Sequence, residues 1–299
     1  MISESILREL KDKKIAYKTD YDLKQASTFR IGGRCELAVM PKDESQLADA
    51  LGLLDACGIR THIAGKGSNT LFADGSIDIA LVITSALDGE TVEGTRVTAG
   101  TGTSLIRLSR LAADSEFTGL EFAYGIPGGL GGAIYMNAGA YGGAMSDVVR
   151  VSRAYDRESG RIISVSDHGF GYRESVYKHN KSLVCLSATL ELSRGDGNSI
   201  NAKMKEHMDS RRAKQPLEYP SVGSYFKRPE GDFAGRLIEL SGLKGERVGD
   251  AQVSSKHAGF IVNLGNATFE DVVRLEEKVR EKVLADFGVC LEREVEIIK

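Results

Sequence analysis

The chain has 299 residues, a formal net charge of −3 at pH 7 and 41% hydrophobic residues, so we expect a globular protein of two or three folding units. The near-neutral charge gives no global basic field, which argues against nucleic acid as the main partner. No apolar run is long enough to span a membrane and no secretory signal opens the chain, so we expect a cytoplasmic protein that does not enter the membrane.

The first elements alternate between helix and strand. Residues 1–20 are typical of a charged amphipathic helix, and the segment CELAVM at 35–40 predicts a strand. Asp43 and Gln46 resemble a capping box, which starts a helix that Gly58 ends. The apolar stripe of this helix consists of Leu47, Ala50, Leu51 and Leu54.

A second strand, IRTHIA at 59–64, completes a βαβ-like unit. It leads directly into GKGSN at 65–69. Because ligands commonly bind at the carboxyl ends of such strands, this loop is the first candidate binding segment.

The middle of the chain is mostly β. A helix that starts near Thr103 interrupts it, with Leu105, Ile106, Leu108 and Leu111 as its apolar positions. The predicted strands are DIALVIT at 78–84, TRVTAG at 95–100, VVRVSRAYD at 148–156, RIISVS at 161–166 and LVCLSATLELS at 183–193. The third and fourth of these flank the turn RESG and predict a hairpin.

The composition changes near residue 195, where polar residues lead into a basic helix at 200–215. We therefore place a domain boundary near 195–215. A long helix follows, capped by Thr268 and Asp271 and stopped by Gly288. Its inward positions are Val272, Leu275, Val279, Val283 and Phe287.

The final segment, CLEREVEII at 290–298, predicts a strand. Its alternation assigns Leu291, Val295 and Ile297 to one face. The opposite face then carries Glu292, Glu294 and Glu296.

Cysteines and histidines give no sign of a disulfide or a metal site. The cysteines lie in apolar surroundings without a CxxC pair, so we expect reduced thiols in the core. They are Cys35, Cys57, Cys185 and Cys290. The histidines have no metal-ligand spacing and no acidic cluster near them, so we expect no metal.

The common nucleotide signatures are absent. No P-loop occurs, and the dinucleotide pattern GxGxxG fails at Gly65 and again at Gly129. Two Gly-rich loops remain, GKGSN at 65–69 and GIPGGLGGA at 125–133. Together they could present backbone N–H groups to an anion such as a pyrophosphate, with Ser68 and Asn137 as further polar partners. Two tight turns that use glycine for positive φ remain the alternative.

Nine motifs, in order over nearly the whole chain, resemble the UDP-N-acetylenolpyruvoylglucosamine reductase family. They are STFRIGG (27–33), GKGSN (65–69), GLEFAYGIPGGLGGAIYMNAGAYGG (119–143), GYRES (171–175), RRAKQP (211–216), GSYFKRP (223–229), AGRLIE (234–239), VSSKHAGFIVN (253–263) and LEREVEII (291–298). Several of these motifs are long and specific. The modest chain length is similar to that of the shorter subtype, which lacks an insertion found in longer members.

The resemblance implies an α+β protein with an FAD-binding fold of the vanillyl-alcohol-oxidase/PCMH type. Its two FAD-binding subdomains would be 1–85 and 86–200, and a C-terminal α+β domain at 201–299 would bind substrate. The implied enzyme is an NADPH-dependent oxidoreductase of peptidoglycan precursor synthesis with non-covalent FAD. It would convert UDP-N-acetylglucosamine enolpyruvate to UDP-N-acetylmuramate, and we expect a monomer.

The same resemblance implies which residues hold the cofactor. In the two loops these are Gly65, Lys66, Gly67, Ser68, Asn69, Gly125, Ile126, Pro127, Gly128, Gly129, Gly131, Gly132 and Ala133. Arg211 would lie at the flavin ring, although a basic helix end would carry such a cation anyway. Lys214, Tyr172 and Arg228 would contact the substrate or the NADPH phosphates.

Three residues match the family's catalytic positions. Arg173 would bind the carboxylate of the enolpyruvyl group, Ser224 would donate a proton to the carbon next to the hydride acceptor, and Glu294 would be the catalytic carboxylate. The hydride would come from flavin N5. Without the resemblance, these residues would be a surface arginine, a turn serine and one glutamate of a solvated strand face.

One position departs from the family pattern. Glu296 stands where many relatives have an arginine, which puts part of the substrate contact in doubt. Two other functions stay open from the sequence, an FAD oxidase of another small substrate and a non-catalytic regulator that binds flavin or UDP-sugar.

Overall fold

A computed structural model describes residues 2–299. The α-helices in this range are α1 (Glu4–Asp12), α2 (Glu44–Ala56), α3 (Leu105–Asp114), α4 (Leu130–Tyr135), α5 (Met145–Val148), α6 (Val176–His179), α7 (Gly197–Lys214), α8 (Ala234–Leu240) and α9 (Phe269–Phe287). Short 3₁₀ helices cover Leu23–Ala26 and Glu121–Ala123. No helix within residues 2–299 is both long enough and apolar enough to cross a bilayer.

The strands in the same range are β1 (Ala16–Asp22), β2 (Arg34–Met40), β3 (Thr61–Ala64), β4 (Thr70–Phe72), β5 (Ser76–Ile83), β6 (Glu90–Glu93), β7 (Arg96–Gly100), β8 (Phe117–Thr118), β9 (Gly139–Ala140), β10 (Gly143–Ala144), β11 (Val149–Asp156), β12 (Arg161–Val165), β13 (Leu183–Glu191), β14 (Ser193–Arg194), β15 (Ser221–Ser224), β16 (Arg247–Val248), β17 (Ala251–Val253), β18 (Phe260–Asn263) and β19 (Glu296–Ile298). Larger sheets have the orders β1–β2–β5–β3, β12–β11–β13–β7–β6 and β15–β18–β17–β16. The mixture of helices with largely antiparallel sheets confirms the α+β class.

The chain divides into two compact units. Unit 1 contains residues 2–19, Leu37–Lys66 and Ile79–Arg211. Unit 2 contains Asp20–Glu36, Gly67–Asp78 and Arg212–Lys299. The three-domain division at residues 85 and 200 stays a prediction.

In unit 1, the predicted hairpin of β11 and β12 forms one side of a five-stranded antiparallel sheet, with β12 at the edge. Strand β11 pairs with β12 in a register that places Asp156 opposite Arg161, and β13 covers the other edge of β11. One apolar cluster packs against this sheet. It includes Leu105, Leu108, Leu130, Ile134, Met145 and Leu190, all fully buried.

Helix α2 confirms the predicted stripe and the predicted start. Its four stripe residues are fully buried, and the Asp43 carboxylate accepts a hydrogen bond from the Gln46 N–H at 2.8 Å. The capping box is not reciprocal, because Gln46 Oε1 accepts from the Lys42 N–H. Gly58 follows the helix at φ 65°, and β3 then runs parallel to β5.

The N-terminal helix is shorter than the amphipathic pattern predicts. Helix α1 stops at Asp12, Lys14 adopts φ 56°, and strand β1 begins at Ala16. The left-handed residue reverses the chain direction locally, so residues that continue the charged pattern belong to a strand.

Unit 2 packs α8 and α9 around the four-stranded antiparallel sheet of β15 to β18. In α9 the Thr268 hydroxyl accepts from the Asp271 N–H, the Asp271 carboxylate accepts from the Thr268 N–H, and Gly288 ends the helix at φ 68°. Its inward residues Val272, Leu275, Val279 and Val283 are fully buried. Phe287 is 40% exposed, so its predicted inward position is wrong, because it lies in the last turn where the helix leaves the core.

Two further expectations need correction. The final strand covers only 296–298 and pairs in parallel with β4, while residues 291–295 follow an irregular path with one bridge between Phe226 and Arg293. Cys35 and Cys185 are buried, but Cys57 and Cys290 are exposed because they lie just beyond the ends of α2 and α9. Within residues 2–299 no cluster of His, Cys, Asp or Glu could hold a metal ion.

The cap of α9 should contribute measurable stability. Thr268→Ala removes the hydroxyl that accepts from Asp271, so we expect a loss of about 1 kcal/mol of unfolding free energy. In a chain of this size that corresponds to a fall in Tm of about 2 °C, measured by thermal unfolding. Thr268→Ser keeps the hydroxyl and serves as the control; an equal fall in both variants would contradict the role of the cap.

Candidate active site

The Gly-rich segment at 124–143 packs tightly against its own unit. A β-carbon on Gly131 would lie 1.7 Å from Thr101 Oγ1, and one on Gly129 would lie 3.1 Å from the Thr101 carbonyl oxygen. Near the end of the segment, a β-carbon on Gly143 would lie 2.7 Å from the Phe122 ring. At these positions the absence of a β-carbon permits close internal packing. Gly132 differs, because a β-carbon there would meet nothing within 4 Å.

The same loop keeps backbone donors unused. The N–H groups of Leu130 and Gly131 donate to the carbonyls of Thr103 and Thr101 at 2.9 and 2.8 Å. The N–H groups of Gly129 and Gly132 have no acceptor within residues 2–299, although Gly129 is buried. A buried donor without a partner is costly in a native fold, which points to a bound acceptor.

The GKGSN loop has a similar character. Gly67 adopts φ 58°, and a β-carbon there would lie 1.8 Å from the Ala26 carbonyl oxygen, so only glycine fits. Its carbonyl accepts from the Thr28 N–H at 3.2 Å. The consecutive N–H groups of Lys66, Gly67 and Ser68 donate to no acceptor in the part of the chain that the structure describes. Such a run of donors is a common binding site for an anion.

A cation lies beside the Gly-rich loop of unit 1. The Arg211 side chain lies across Gly125, with its Cδ 2.9 Å from the position that a β-carbon would occupy. Burial lowers the pKa of Arg211, and none of the carboxylates of residues 2–299 forms an ion pair with it. A partly buried charge without a counterion is unfavourable, so an anionic ligand would stabilise it.

Arg173 is held in a strained turn of unit 1. Gly171 and Glu174 exchange backbone hydrogen bonds at 3.1 and 3.2 Å, and this closure leaves Arg173 at φ 59°. Its guanidinium donates to the Gly139 carbonyl at 3.3 Å and lies 5.2 Å above the Tyr172 ring. Left-handed backbone at a residue other than glycine is concentrated at functional sites.

The Gly-rich segment also anchors this turn. The Asn137 amide donates to the Gly171 carbonyl at 2.9 Å, and the Ser175 hydroxyl donates to the Tyr135 carbonyl at 2.7 Å. Asn137 is buried at φ 38°, and its side-chain oxygen accepts from the Ser146 N–H. The sequence suggested Asn137 as a partner for an anion, whereas the structure uses its side chain to support the turn that carries Arg173.

In unit 2 the structure brings Ser224 and Glu294 onto neighbouring segments. The Glu294 N–H donates to the carbonyl of Tyr225 at 2.9 Å, and the Lys227 N–H donates to the Glu292 carbonyl at 2.8 Å. Ser224 is exposed and follows Gly223, which has φ 80° at an irregularity in the pairing of β15 with β18. Irregular pairing of this kind redirects a side chain at a sheet edge.

The GKGSN loop contacts the backbone around Glu294. The Asn69 side-chain amide donates to the Glu294 carbonyl at 3.2 Å, and the Glu296 N–H donates to the Asn69 carbonyl at 3.0 Å. Glu292 instead forms an exposed ion pair with Lys227 at 3.2 Å. Asn69 therefore contacts the backbone of both Glu294 and Glu296.

The residues predicted to contact the substrate are at the surface of their units. Tyr172 is 51% exposed beside Arg173 in unit 1. In unit 2, Lys214 ends α7 and is exposed, and the exposed Arg228 lies 4.5 Å above the Phe233 ring. Their roles stay predictions.

Two protein-family models match the chain. Residues 35–166 match an FAD-binding domain. Residues 215–298 match the C-terminal domain of UDP-N-acetylenolpyruvoylglucosamine reductase. The FAD-binding match confirms the cofactor and the FAD-binding fold that the resemblance implied.

Known proteins are similar over most of the chain. A protein named UDP-N-acetylenolpyruvoylglucosamine reductase from Thermotoga petrophila is 45% identical over 91% of this chain and 95% of its own. The crystal structure of the reductase of that name from Thermus caldophilus is similar with a TM-score of 0.81 and 31% identity, over 95% of this chain and 99% of that one. The grass pollen allergen Phl p 4, 13% identical with a TM-score of 0.51 over 64% of this chain and 44% of its own, is similar in fold alone.

Two adjacent glycines should respond differently to alanine. Gly131→Ala introduces a β-carbon against buried Thr101, so we expect a loss of about 1–3 kcal/mol of stability by thermal unfolding. Gly132→Ala meets open space and should unfold like wild type without cofactor. It should nevertheless weaken FAD binding by roughly tenfold, equivalent to about 1.4 kcal/mol, in a fluorescence titration. Unchanged FAD affinity in Gly132→Ala would contradict a ligand contact at this face of the loop.

Proposed function

This chain belongs to the UDP-N-acetylenolpyruvoylglucosamine reductase family, and from that premise we propose that it reduces UDP-N-acetylglucosamine enolpyruvate to UDP-N-acetylmuramate. NADPH is the proposed reductant, and non-covalent FAD is the cofactor through which the electrons pass. The product makes this a step of peptidoglycan precursor synthesis. Monomeric state and cytoplasmic location remain predictions.

The observation that supports this proposal is the set of backbone donors that have no partner in the described part of the chain, residues 2–299. In unit 1, the free N–H groups of Lys66 and Gly129 suit the oxygens of a pyrophosphate, and Arg211 supplies a positive charge for the flavin ring. In unit 2, the free N–H groups of Gly67 and Ser68 suit the same kind of acceptor. These donors fit FAD, whose pyrophosphate joins its two nucleotide halves. When bound, FAD accepts a hydride from the reductant and delivers it to the substrate.

Arg173 is proposed to bind the carboxylate of the enolpyruvyl group. Delivery of hydride to the terminal carbon raises the electron density on the adjacent carbon and its carboxylate. A guanidinium presents two parallel N–H donors to this carboxylate and stabilises that charge. The strained turn and its supports at Tyr135 and Asn137 hold Arg173 before substrate arrives, which limits the entropy lost on binding.

Ser224 and Glu294 are proposed to complete the proton transfer. The Ser224 hydroxyl donates its proton to the carbon next to the hydride acceptor, so one hydride and one proton saturate the double bond. A hydroxyl is a weak acid, so this role depends on close positioning. Glu294 is the proposed catalytic carboxylate, and its backbone link to Tyr225 keeps it near the proton donor.

Lys214, Tyr172 and Arg228 are proposed to contact the phosphates and other polar groups of the substrate or of NADPH. Glu296 takes the place of a cation in many relatives, so this chain should bind its anionic substrate with fewer positive contacts at that position. The exposed cations Lys214 and Arg228 could compensate through longer-range attraction.

The half-reactions test this function directly. Anaerobic NADPH should bleach the flavin absorbance of the purified protein, and UDP-N-acetylglucosamine enolpyruvate should then restore it. Both changes are measured by stopped-flow absorbance near the flavin maximum. Recovery with oxygen but not with the sugar would favour an oxidase, and failure of NADPH to bleach the flavin would contradict the proposed reductant.

The serine separates the two half-reactions. Ser224→Ala should keep NADPH-driven bleaching, because hydride transfer to flavin needs no proton from this side chain, and should slow sugar-driven recovery by roughly 10²–10⁴-fold. Ser221→Ala, on the same strand, is the control and should behave like wild type. Equal slowing of both half-reactions by Ser224→Ala would refute its role as a proton donor.

A further inference from the structure

Unit 2 buries an ionic cluster that the proposed chemistry does not use. The Glu276 carboxylate is 1% exposed and accepts a hydrogen bond from the Tyr225 hydroxyl at 2.9 Å. It also accepts two bonds from Arg293, from Nε and from Nη2, each at 2.8 Å. Tyr225 is fully buried. The Arg280 guanidinium is farther away, with its Nη1 3.8 Å from Glu276 Oε1.

The two partners of Glu276 are the chain neighbours of two proposed catalytic residues. Tyr225 directly follows Ser224, and Arg293 directly precedes Glu294. The segments are also joined by the Glu294 N–H to the Tyr225 carbonyl, and by the bridge of Phe226 with Arg293. The Glu276 carboxylate on α9 thus binds both the segment that carries Ser224 and the segment that carries Glu294.

Stability alone is a weak reason to keep such a cluster. Taking an ion pair out of water costs free energy, and apolar residues of similar volume commonly stabilise a core as well or better. Burial first, and then the neighbouring Glu276 carboxylate, raise the pKa of Tyr225, so its hydroxyl stays protonated as a donor. What the cluster supplies beyond stability is directional geometry, because a bidentate guanidinium fixes both the distance and the angle of Arg293.

Helix α9 is well suited to hold the Glu276 side chain in a fixed position. It spans 19 residues, it is capped at both ends, and Glu276 lies between the fully buried Leu275 and Val279 on its inner face. The inner face of this helix belongs to the same apolar cluster as the sheet residues Val253 and Ile261. Sites whose supporting residues are locked by packing hold catalytic groups more accurately.

We propose that Glu276 is a positioning residue, which sets the geometry of Ser224 and Glu294 through Tyr225 and Arg293. The inference rests on the proposed function, because it gives these two residues a shared task in substrate reduction. Glu276 itself touches neither substrate nor cofactor. Its effect is confined to the half-reaction that needs the proton donor and the catalytic carboxylate.

The test uses the purified flavoprotein and its two half-reactions. Glu276→Gln leaves a single acceptor oxygen, so at least one of the two guanidinium bonds is lost and the other loses its charge assistance. Tyr225→Phe removes only one hydroxyl. We expect both variants to bind FAD and to be reduced by NADPH at the wild-type rate. Sugar-driven recovery of the oxidised flavin should slow by at least roughly tenfold in each variant. The maximal rate of recovery should fall, while the sugar concentration that gives half-maximal rate should stay unchanged.

Glu277→Gln is the matched control, because Glu277 is the exposed neighbour on the same helix and should leave both half-reactions unchanged. Should Glu276→Gln fail to fold, Tyr225→Phe still decides the question, since it loses one hydrogen bond and keeps the ring. Equal slowing of both half-reactions, or wild-type recovery in Tyr225→Phe, would overturn the positioning role. If wild-type protein is not reoxidised by the sugar, the proposed function itself fails.

Discussion

Backbone N–H donors without an acceptor among residues 2–299 determine which ligand the Gly-rich loops can bind. Lys66, Gly67, Ser68 and buried Gly129 offer such donors, and Arg211 adds a cation that no described carboxylate neutralises. Gly67 and Gly129 are buried, and buried donors of this kind are normally completed by a ligand or by ordered water. The FAD-binding match identifies FAD as the ligand that these donors suit.

The glycines that first indicate a nucleotide site have two separate tasks. At Gly129, Gly131 and Gly143 the missing β-carbon lets the loop approach Thr101 and Phe122, and this packing fixes the path of the backbone. Only after that path is fixed do the unused donors have a defined direction. The same segment supports the turn of Arg173 through Tyr135 and Asn137, so the proposed cofactor loop and the proposed catalytic arginine share one scaffold.

Local signals were predictable from the sequence, and long-range ones were not. The caps at Thr268 and Gly288, the α2 stripe and the hairpin of β11 with β12 depend on neighbouring residues and were confirmed. The family resemblance was also confirmed, and it alone assigned roles to Arg173, Ser224 and Glu294. Glu276 could not be predicted, because a glutamate in a helix is normally solvated and its partner Tyr225 is 51 positions away. The predicted inward position of Phe287 was wrong, because the periodicity of apolar residues cannot show where a helix leaves the core.

We propose that backbone donors of the Gly-rich loops bind the pyrophosphate of FAD. The affinity of the apoprotein for flavins of different length tests this proposal. FAD contains the pyrophosphate, FMN has a single phosphate and riboflavin has none. We predict that FAD binds at least roughly 100-fold more tightly than FMN, a difference of about 2.7 kcal/mol, and that riboflavin binds more weakly still. Equal affinities for the three flavins, measured by fluorescence quenching, would contradict a binding site for the pyrophosphate.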